Sequence, residues 1–150
     1  MPAPRAAPTD LHALVNEALA LYQGLLGEVQ FERRFADCLP RVRVDAEQIR
    51  RVIINLVDNA IEAMNRCGII TLETGHDAGS AIVRLLVSDN GPGIPVAERE
   101  KLFMPYYSTK RRGSGLGLAI VRRIVAEHGG TIEVGENHPR GTRFTIELPC

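Results

Sequence analysis

Tryptophan is absent from this chain, and the only other aromatics are four Phe and three Tyr among 150 residues. A base-stacking surface for single-stranded nucleic acid therefore has little to be built from. Net charge is also missing, since 18 Lys and Arg balance 18 Asp and Glu. No global basic field exists to draw in nucleic acid or an anionic membrane. No apolar run approaches the roughly 18 residues of a membrane-spanning helix. The start, Met1-Pro-Ala-Pro-Arg-Ala-Ala-Pro8, has too little apolar length for a secretory signal. Cys38, Cys67 and Cys150 are odd in number and lack C-x-x-C spacing. They argue against a disulfide framework and a zinc site, and for a reducing compartment. There is no internal repeat and no low-complexity tract. What is present is an ordinary globular composition, 45% hydrophobic and 24% charged, long enough for one domain with a real core.

Three prolines in the first eight residues fix extended backbone, so residues 1–9 are expected to be a linker from a preceding domain. Thr9-Asp10 supplies an N-cap, after which Leu11, Leu14, Val15, Ala18 and Tyr22 recur at helical spacing, with Gly24 and Gly27 ending the helix. Val29–Glu32 and Val42–Val44 read as short strands. Asp45-Ala-Glu-Gln48 has the form of a capping box with Gln in place of Glu. It opens a helix whose apolar stripe runs through Ile49, Val52, Ile53, Leu56, Val57, Ala60, Ile61 and Met64, with Gly68 as its expected stop. At 100° per residue, Asn55, Asn59 and Glu62 share the opposite face. Residues 69–74 and 81–88 read as strands, the second apolar enough to be central. Leu116, Ile120, Val121, Ile124 and Val125 mark a further helix, stopped by Gly129-Gly130. Residues 131–134 and 142–148 finish as an antiparallel pair. Hairpin-length links between most successive strands favour an α+β two-layer sandwich over a doubly wound parallel fold.

Three features could carry chemistry. The aligned Asn55, Asn59 and Glu62 make either a solvated helix face or a Mg²⁺ site, because an amide oxygen is a hard neutral ligand of the kind Mg²⁺ takes beside phosphate oxygens. Asp89-Asn-Gly-Pro-Gly93 is turn chemistry. In a cleft, though, an ionised carboxylate accepts hydrogen bonds and never donates them, so it would select a purine with an exocyclic amine. Gly113-Ser-Gly-Leu-Gly117 leads into a helix and is either a hinge or an anion cradle of uncovered backbone N–H groups. It is neither a Walker A loop nor the dinucleotide fingerprint. Lys110, Arg111 and Arg112 precede it. A connection of this length between Asp89 and Gly117 suggests a lid, anchored by the aromatic cluster Phe103, Pro105, Tyr106 and Tyr107. His12, His76, His128 and His138 show no ligand spacing.

In this order, the motifs resemble the catalytic ATP-binding domain of bacterial sensor histidine kinases, within the group that includes gyrase B, Hsp90 and MutL-type ATPases. Asn55-Leu-Val-Asp-Asn59-Ala is similar to the N box and Asp89-Asn-Gly-Pro-Gly93 to the first glycine box. Phe103-Met-Pro-Tyr-Tyr-Ser-Thr-Lys110 is similar to the F box, Gly113-Ser-Gly-Leu-Gly-Leu-Ala to the second glycine box, and Gly141-Thr-Arg-Phe to the terminal glycine motif. The variants Asn59-Ala-Ile-Glu-Ala-Met64 and Tyr107-Ser-Thr-Lys110 are most similar to the nitrogen-regulation sensor kinases of the NtrY or NtrB type.

The resemblance implies the Bergerat fold, a mixed sheet of about five strands on three helices, with the ATP-binding domain at residues 10–150 and the lid at about 91–114. It implies ATP and Mg²⁺ as cofactors. Asn59 would be the metal ligand, assisted by Asn55, and Asp89 would accept from the adenine amine. Gly91 and Gly93 would shape the base pocket, Gly113, Gly115 and Gly117 would cradle phosphate, and Lys110 would meet the γ-phosphate. Ile94, Phe103, Ser114, Leu116, Leu118 and Thr142 complete the implied ATP contacts. The family's phosphoacceptor His has a context that none of the four histidines here shares. The expected partners are thus a separate dimerisation and phosphotransfer domain and, indirectly, a response regulator, with neither nucleic acid nor direct membrane contact. The fragment is expected to be a cytoplasmic monomer, whether or not its parent is an inner-membrane sensor. A free-standing ATPase of the gyrase type or a serine kinase of the anti-sigma type are the alternatives. Both usually carry Glu where Asn55 stands.

Overall fold

The computed structural model describes residues 3–24, 27–77, 79–99, 101–104 and 117–150. Strands β2 (Glu28–Arg34), β4 (Cys67–His76), β5 (Ile82–Asp89), β7 (Thr142–Pro149) and β6 (Thr131–Glu136) lie side by side in that order in one sheet. β2 runs parallel to β4 and every other pairing is antiparallel. The sheet is therefore mixed, with β5 in the centre. Helices α1 (Leu11–Ala20), α2 (Ala46–Ala63) and α4 (Gly117–Glu127) form the second layer. The core lies between the layers, where Ile70, Leu72, Val83, Leu85, Val87, Phe144, Ile146 and Leu148 meet the buried stripes of the helices. Period-two alternation along the strands sends Arg84 and Glu147, directly opposite each other on β5 and β7, to the other face.

α2 shows how the sequence sets an element. Ile49, Val52, Ile53, Leu56, Val57 and Ala60 are buried, each large aliphatic contributing roughly 1.5–3 kcal/mol. Asp45 caps the helix, its side chain accepting from Glu47 N at 3.1 Å and Gln48 N at 3.3 Å. The reciprocal half of the expected capping box does not form. Asp45 N donates instead to His128 Nε2 at 3.1 Å, and Gln48 Oε1 is buried without a hydrogen-bond partner. Nor does Gly68 close the helix. Asn65 and Arg66 take left-handed backbone just after Met64, with φ of 52° and 61°, and Gly68 lies inside β4.

Two other expectations need correction. Residues 7–9, expected to lie in a linker, form β1 (Ala7–Thr9), which pairs antiparallel with β3 (Val42–Val44). Arg5 N also donates to Asp45 Oδ2 at 2.9 Å, so this segment bonds directly to the cap of α2. The long connection after Asp89 is not wholly irregular either, since it contains the single-turn helix α3 (Val96–Arg99).

Candidate functional site

β5 ends at Asp89, and the site is built around that residue. The side chain is only 4% exposed. Its Oδ1 accepts from Gly91 N at 2.9 Å and Thr142 N at 3.3 Å. The second carboxylate oxygen makes neither bond. Burial pushes the carboxyl above its ordinary value, and the two backbone N–H groups pull it part of the way back. A carboxylate held by one oxygen can present the other to a ligand.

Glycine at two neighbouring positions permits this approach. A Cβ on Gly91 would press against Asp89 Oδ1 at 3.1 Å and against the Ala63 carbonyl oxygen at 3.3 Å. Gly141 has φ of +115°, and a Cβ there would overlap the Asp89 carbonyl oxygen. The Gly91 contact with Ala63 also shows that the C-terminal end of α2 abuts the Asp89 turn. Asn59 lies one turn before Ala63, exposed, and Asn55 one turn earlier, half-buried. The helix bearing the two asparagines therefore meets the turn bearing the carboxylate. Asn90 has a structural role, its Oδ1 accepting from Ile69 N at 3.0 Å.

On the side where the lid begins, Ile94 and Phe103 pack against the core. The Phe103 ring meets Phe144 edge-on, with centroids 6.3 Å apart at 85°. The Arg122 guanidinium of α4 lies 5.7 Å from its centre. Phe103 is thus an anchor, as its place in the aromatic cluster suggests. Arg99 of α3 donates through Nε to Ile94 O at 3.3 Å and pairs with Glu136 at 3.3 Å. Gly117 opens α4 in an exposed position, with nothing within 4 Å of the place a Cβ would occupy, and Leu118 is half-buried. Lys110, Gly113, Ser114, Gly115 and Leu116, with Pro105, Tyr106 and Tyr107, lie outside the described residues.

The β6–β7 hairpin contributes groups that motif reading does not find. Asn137 Nδ2 donates to the Asp89 carbonyl at 2.8 Å, and Arg140 Nε to the Gly91 carbonyl at 3.0 Å. Of the residues at the hairpin tip, only Gly141-Thr142 belongs to a motif.

The family described as histidine kinase-, DNA gyrase B-, and HSP90-like ATPase matches residues 44–150. The catalytic domain of histidine kinase ThkA superposes with a TM-score of 0.87 at 36% identity, over 97% of this chain and 95% of that one. The chain belongs to the histidine kinase ATPase domains. Sensor histidine kinase ZraS of Escherichia coli O157:H7 is 39% identical to this histidine kinase ATPase domain over 142 residues, 93% of the chain. The domain spans 31% of the length of that relative. Full-length ShkA, solved in complex with AMPPNP, superposes with a TM-score of 0.86 at 29% identity, over 97% of the domain and 31% of that protein. ThkA in complex with its response regulator protein TrrA gives 0.83 at 34%, over 97% of the domain and 42% of that chain. The mixed five-stranded sheet on helices is the fold the sequence motifs imply.

Proposed function

We propose that this domain binds Mg²⁺-ATP and presents the γ-phosphate to a histidine on a separate dimerisation domain of a sensor kinase, from which a response regulator takes it. The observation that carries the reading is Asp89, buried at a strand end, with one carboxylate oxygen fixed by two backbone N–H groups. In this arrangement the second oxygen accepts from the adenine amine. Guanine, with a carbonyl at that position, would set oxygen against oxygen. The AMPPNP bound by ShkA and the complex of ThkA with TrrA support the same nucleotide and the same downstream partner.

The metal is proposed to arrive with the nucleotide. Among the described residues no group of three or more His, Cys, Asp and Glu could hold an ion unaided. Asn59 and Asn55 offer neutral amide oxygens, a donor set that fits an ion sharing its shell with phosphate and water. Bound there, Mg²⁺ would neutralise charge on the transferring phosphate. The chain's own part is to orient the nucleotide. Gly113, Ser114, Gly115, Leu116, Gly117 and Leu118 are proposed to hold phosphate at the start of α4, with Lys110 at the γ-phosphate and Ile94, Phe103 and Thr142 around the base. An amide at position 55 cannot take a proton from water as a carboxylate base would. Its chemistry suits transfer to a protein acceptor better than hydrolysis.

Residues 10–150 are proposed as the ATP-binding domain, with β1 packed onto it and the lid at about 91–114. Asn59-Ala-Ile-Glu-Ala-Met64 and Tyr107-Ser-Thr-Lys110 favour a parent of the nitrogen-regulation type, with this domain on the cytoplasmic side. Among the described residues no helix is long and apolar enough to cross a membrane.

Mixing the domain with a supplied dimerisation domain and labelled ATP tests the proposal. Acid-labile phosphohistidine on the added domain is expected, with negligible steady-state phosphate release in its absence. Acid-stable phosphoserine on a partner, or brisk hydrolysis alone, would defeat it. Asn59→Ala should weaken Mg²⁺-dependent ATP binding by roughly tenfold, equivalent to about 1.4 kcal/mol, and leave metal-free adenosine binding unchanged. Equal losses in the two titrations would make Asn59 a structural residue.

A further inference from the structure

We propose that Asn137, at the tip of the β6–β7 hairpin, is a positioning residue that aims the Asp89 carboxylate at the purine. The inference rests on the reading of Asp89 as the group that accepts from adenine. The β5–β7 ladder ends at the pair Ser88 and Arg143, so Asp89 lies one residue past the last rung. Asn137 supplies the missing rung, its Nδ2 donating to the Asp89 carbonyl at 2.8 Å. The amide is itself fixed at two further points. Its Oδ1 accepts from Arg143 Nη2 at 3.3 Å, and its backbone N donates to the Gly141 carbonyl at 3.0 Å.

Two residues on, the Gly91 carbonyl receives Arg140 Nε at 3.0 Å. The carbonyls on both sides of Asn90 are therefore held by one hairpin. The same hairpin gives Thr142 N to Asp89 Oδ1. A carboxylate gripped through its own backbone and one of its oxygens has little freedom left, so the second oxygen points in one direction. Remove the Asn137 donor and the Asp89 backbone is held only on the β4 side, where it pairs with Ile70, so it can tilt and take the side chain with it. A buried carbonyl seldom stays unpaired, so the turn would relax until it found a new donor.

Equilibrium binding of ATP and ITP to this chain tests the inference, with thermal unfolding recorded beside it. ITP carries a carbonyl in place of the exocyclic amine, so it gains no hydrogen bond from the aim of Asp89 and loses a repulsion when that aim is lost. Asn137→Asp is the decisive variant. It keeps the shape, the acceptor for Arg143 and the backbone bond to Gly141, and replaces the donor to Asp89 by an anionic oxygen, so Asn137→Ala, which adds no charge, is read beside it. The preference for ATP over ITP should fall about tenfold in Asn137→Asp and Asn137→Ala, the scale of one lost hydrogen bond. ATP affinity should fall, and ITP affinity should stay unchanged or rise. Combined with Asp89→Asn, Asn137→Asp should change the ratio no further. A wild-type ratio retained in Asn137→Asp, or parallel losses of both nucleotides, would overturn the role of Asn137 alone. No ATP preference in the wild type would overturn the reading of Asp89, and this inference with it.

Discussion

Asp89→Asn is expected to lower ATP affinity about 100-fold while leaving the domain folded, because a charge-assisted hydrogen bond of ~1.5–3 kcal/mol becomes N–H facing N–H. The fold is spared because an asparagine Oδ1 accepts from Gly91 N and Thr142 N just as the carboxylate oxygen does. Its Nδ2 then takes the place of the oxygen that faces the ligand. The same exchange should raise affinity for ITP relative to ATP, since the amide donates where the carboxylate accepts. Competitive titration of the two nucleotides reads both effects. Unchanged ATP binding in the variant would remove Asp89 from the site.

Proton linkage adds an independent readout. The Asp89 carboxyl is raised from its ordinary value of 3.8, by burial first and against the pull of the Gly91 and Thr142 N–H groups. For an acid whose folded pKa is raised, its contribution to stability is fully present below the unfolded value and is lost as pH rises through the folded one. Nucleotide binding runs the other way, since the ionised form accepts from the amine more strongly than the protonated carboxyl does. Moving from neutral into the acidic range should thus weaken ATP binding more in the wild type than in Asp89→Asn, where only the titration of the nucleotide's own phosphate remains. An equal acid response in both proteins would assign the titration to another group.

Gly141→Ala should destabilise the domain by about 2–4 kcal/mol, the sum of left-handed strain and a backbone overlap that no rotamer can relieve. In a domain of this size that corresponds to a Tm lower by roughly 5–15 °C. At φ of +115°, the added Cβ meets the Asp89 carbonyl oxygen and presses on the Asn90 Cα. The turn that yields is the one holding the carboxylate, so nucleotide affinity should fall along with stability. Gly135→Ala is the matched control, with nothing within 4 Å of its Cβ position. Thermal unfolding of the two variants side by side decides the matter, and equal melting temperatures would dismiss the overlap.

What the sequence makes legible follows the range of the interactions involved. The stripe of α2 and its Asp45 cap are short-range features set by helical periodicity, and both form as read. So does the turn at Asp89, whose glycines lie within four residues of the carboxylate. The reciprocal capping bond is lost to His128, 83 positions away, a competitor that no local pattern announces. Asn137 reaches Asp89 across 48 positions and belongs to a hairpin tip with no periodicity to mark it. β1 was hidden by its composition: Ala7-Pro8-Thr9 reads as linker, and only pairing with Val42–Val44 makes it a strand. The left-handed Asn65 and Arg66 anticipate the stop expected of Gly68. In each case a distant partner or an unforeseen backbone angle prevailed over the local preference.

The imidazole of His128 also works as a ruler. Its Nε2 accepts from Asp45 N and its Nδ1–H donates to Ile124 O at 2.7 Å, which pins the end of α4 to the beginning of α2. The two helices pack along each other, so α4 must run back along α2 from that pin. Eleven residues of α4, rising about 1.5 Å each, travel roughly 16 Å. That is the same climb that leads from Asp45 to the turn of α2 bearing Asn55. Gly117, at once the last glycine of the second cluster and the first residue of α4, is thus placed by where the far end is fastened. One residue inserted in or deleted from the middle of α4 would turn that end by about 100° without touching a single ligand-binding side chain.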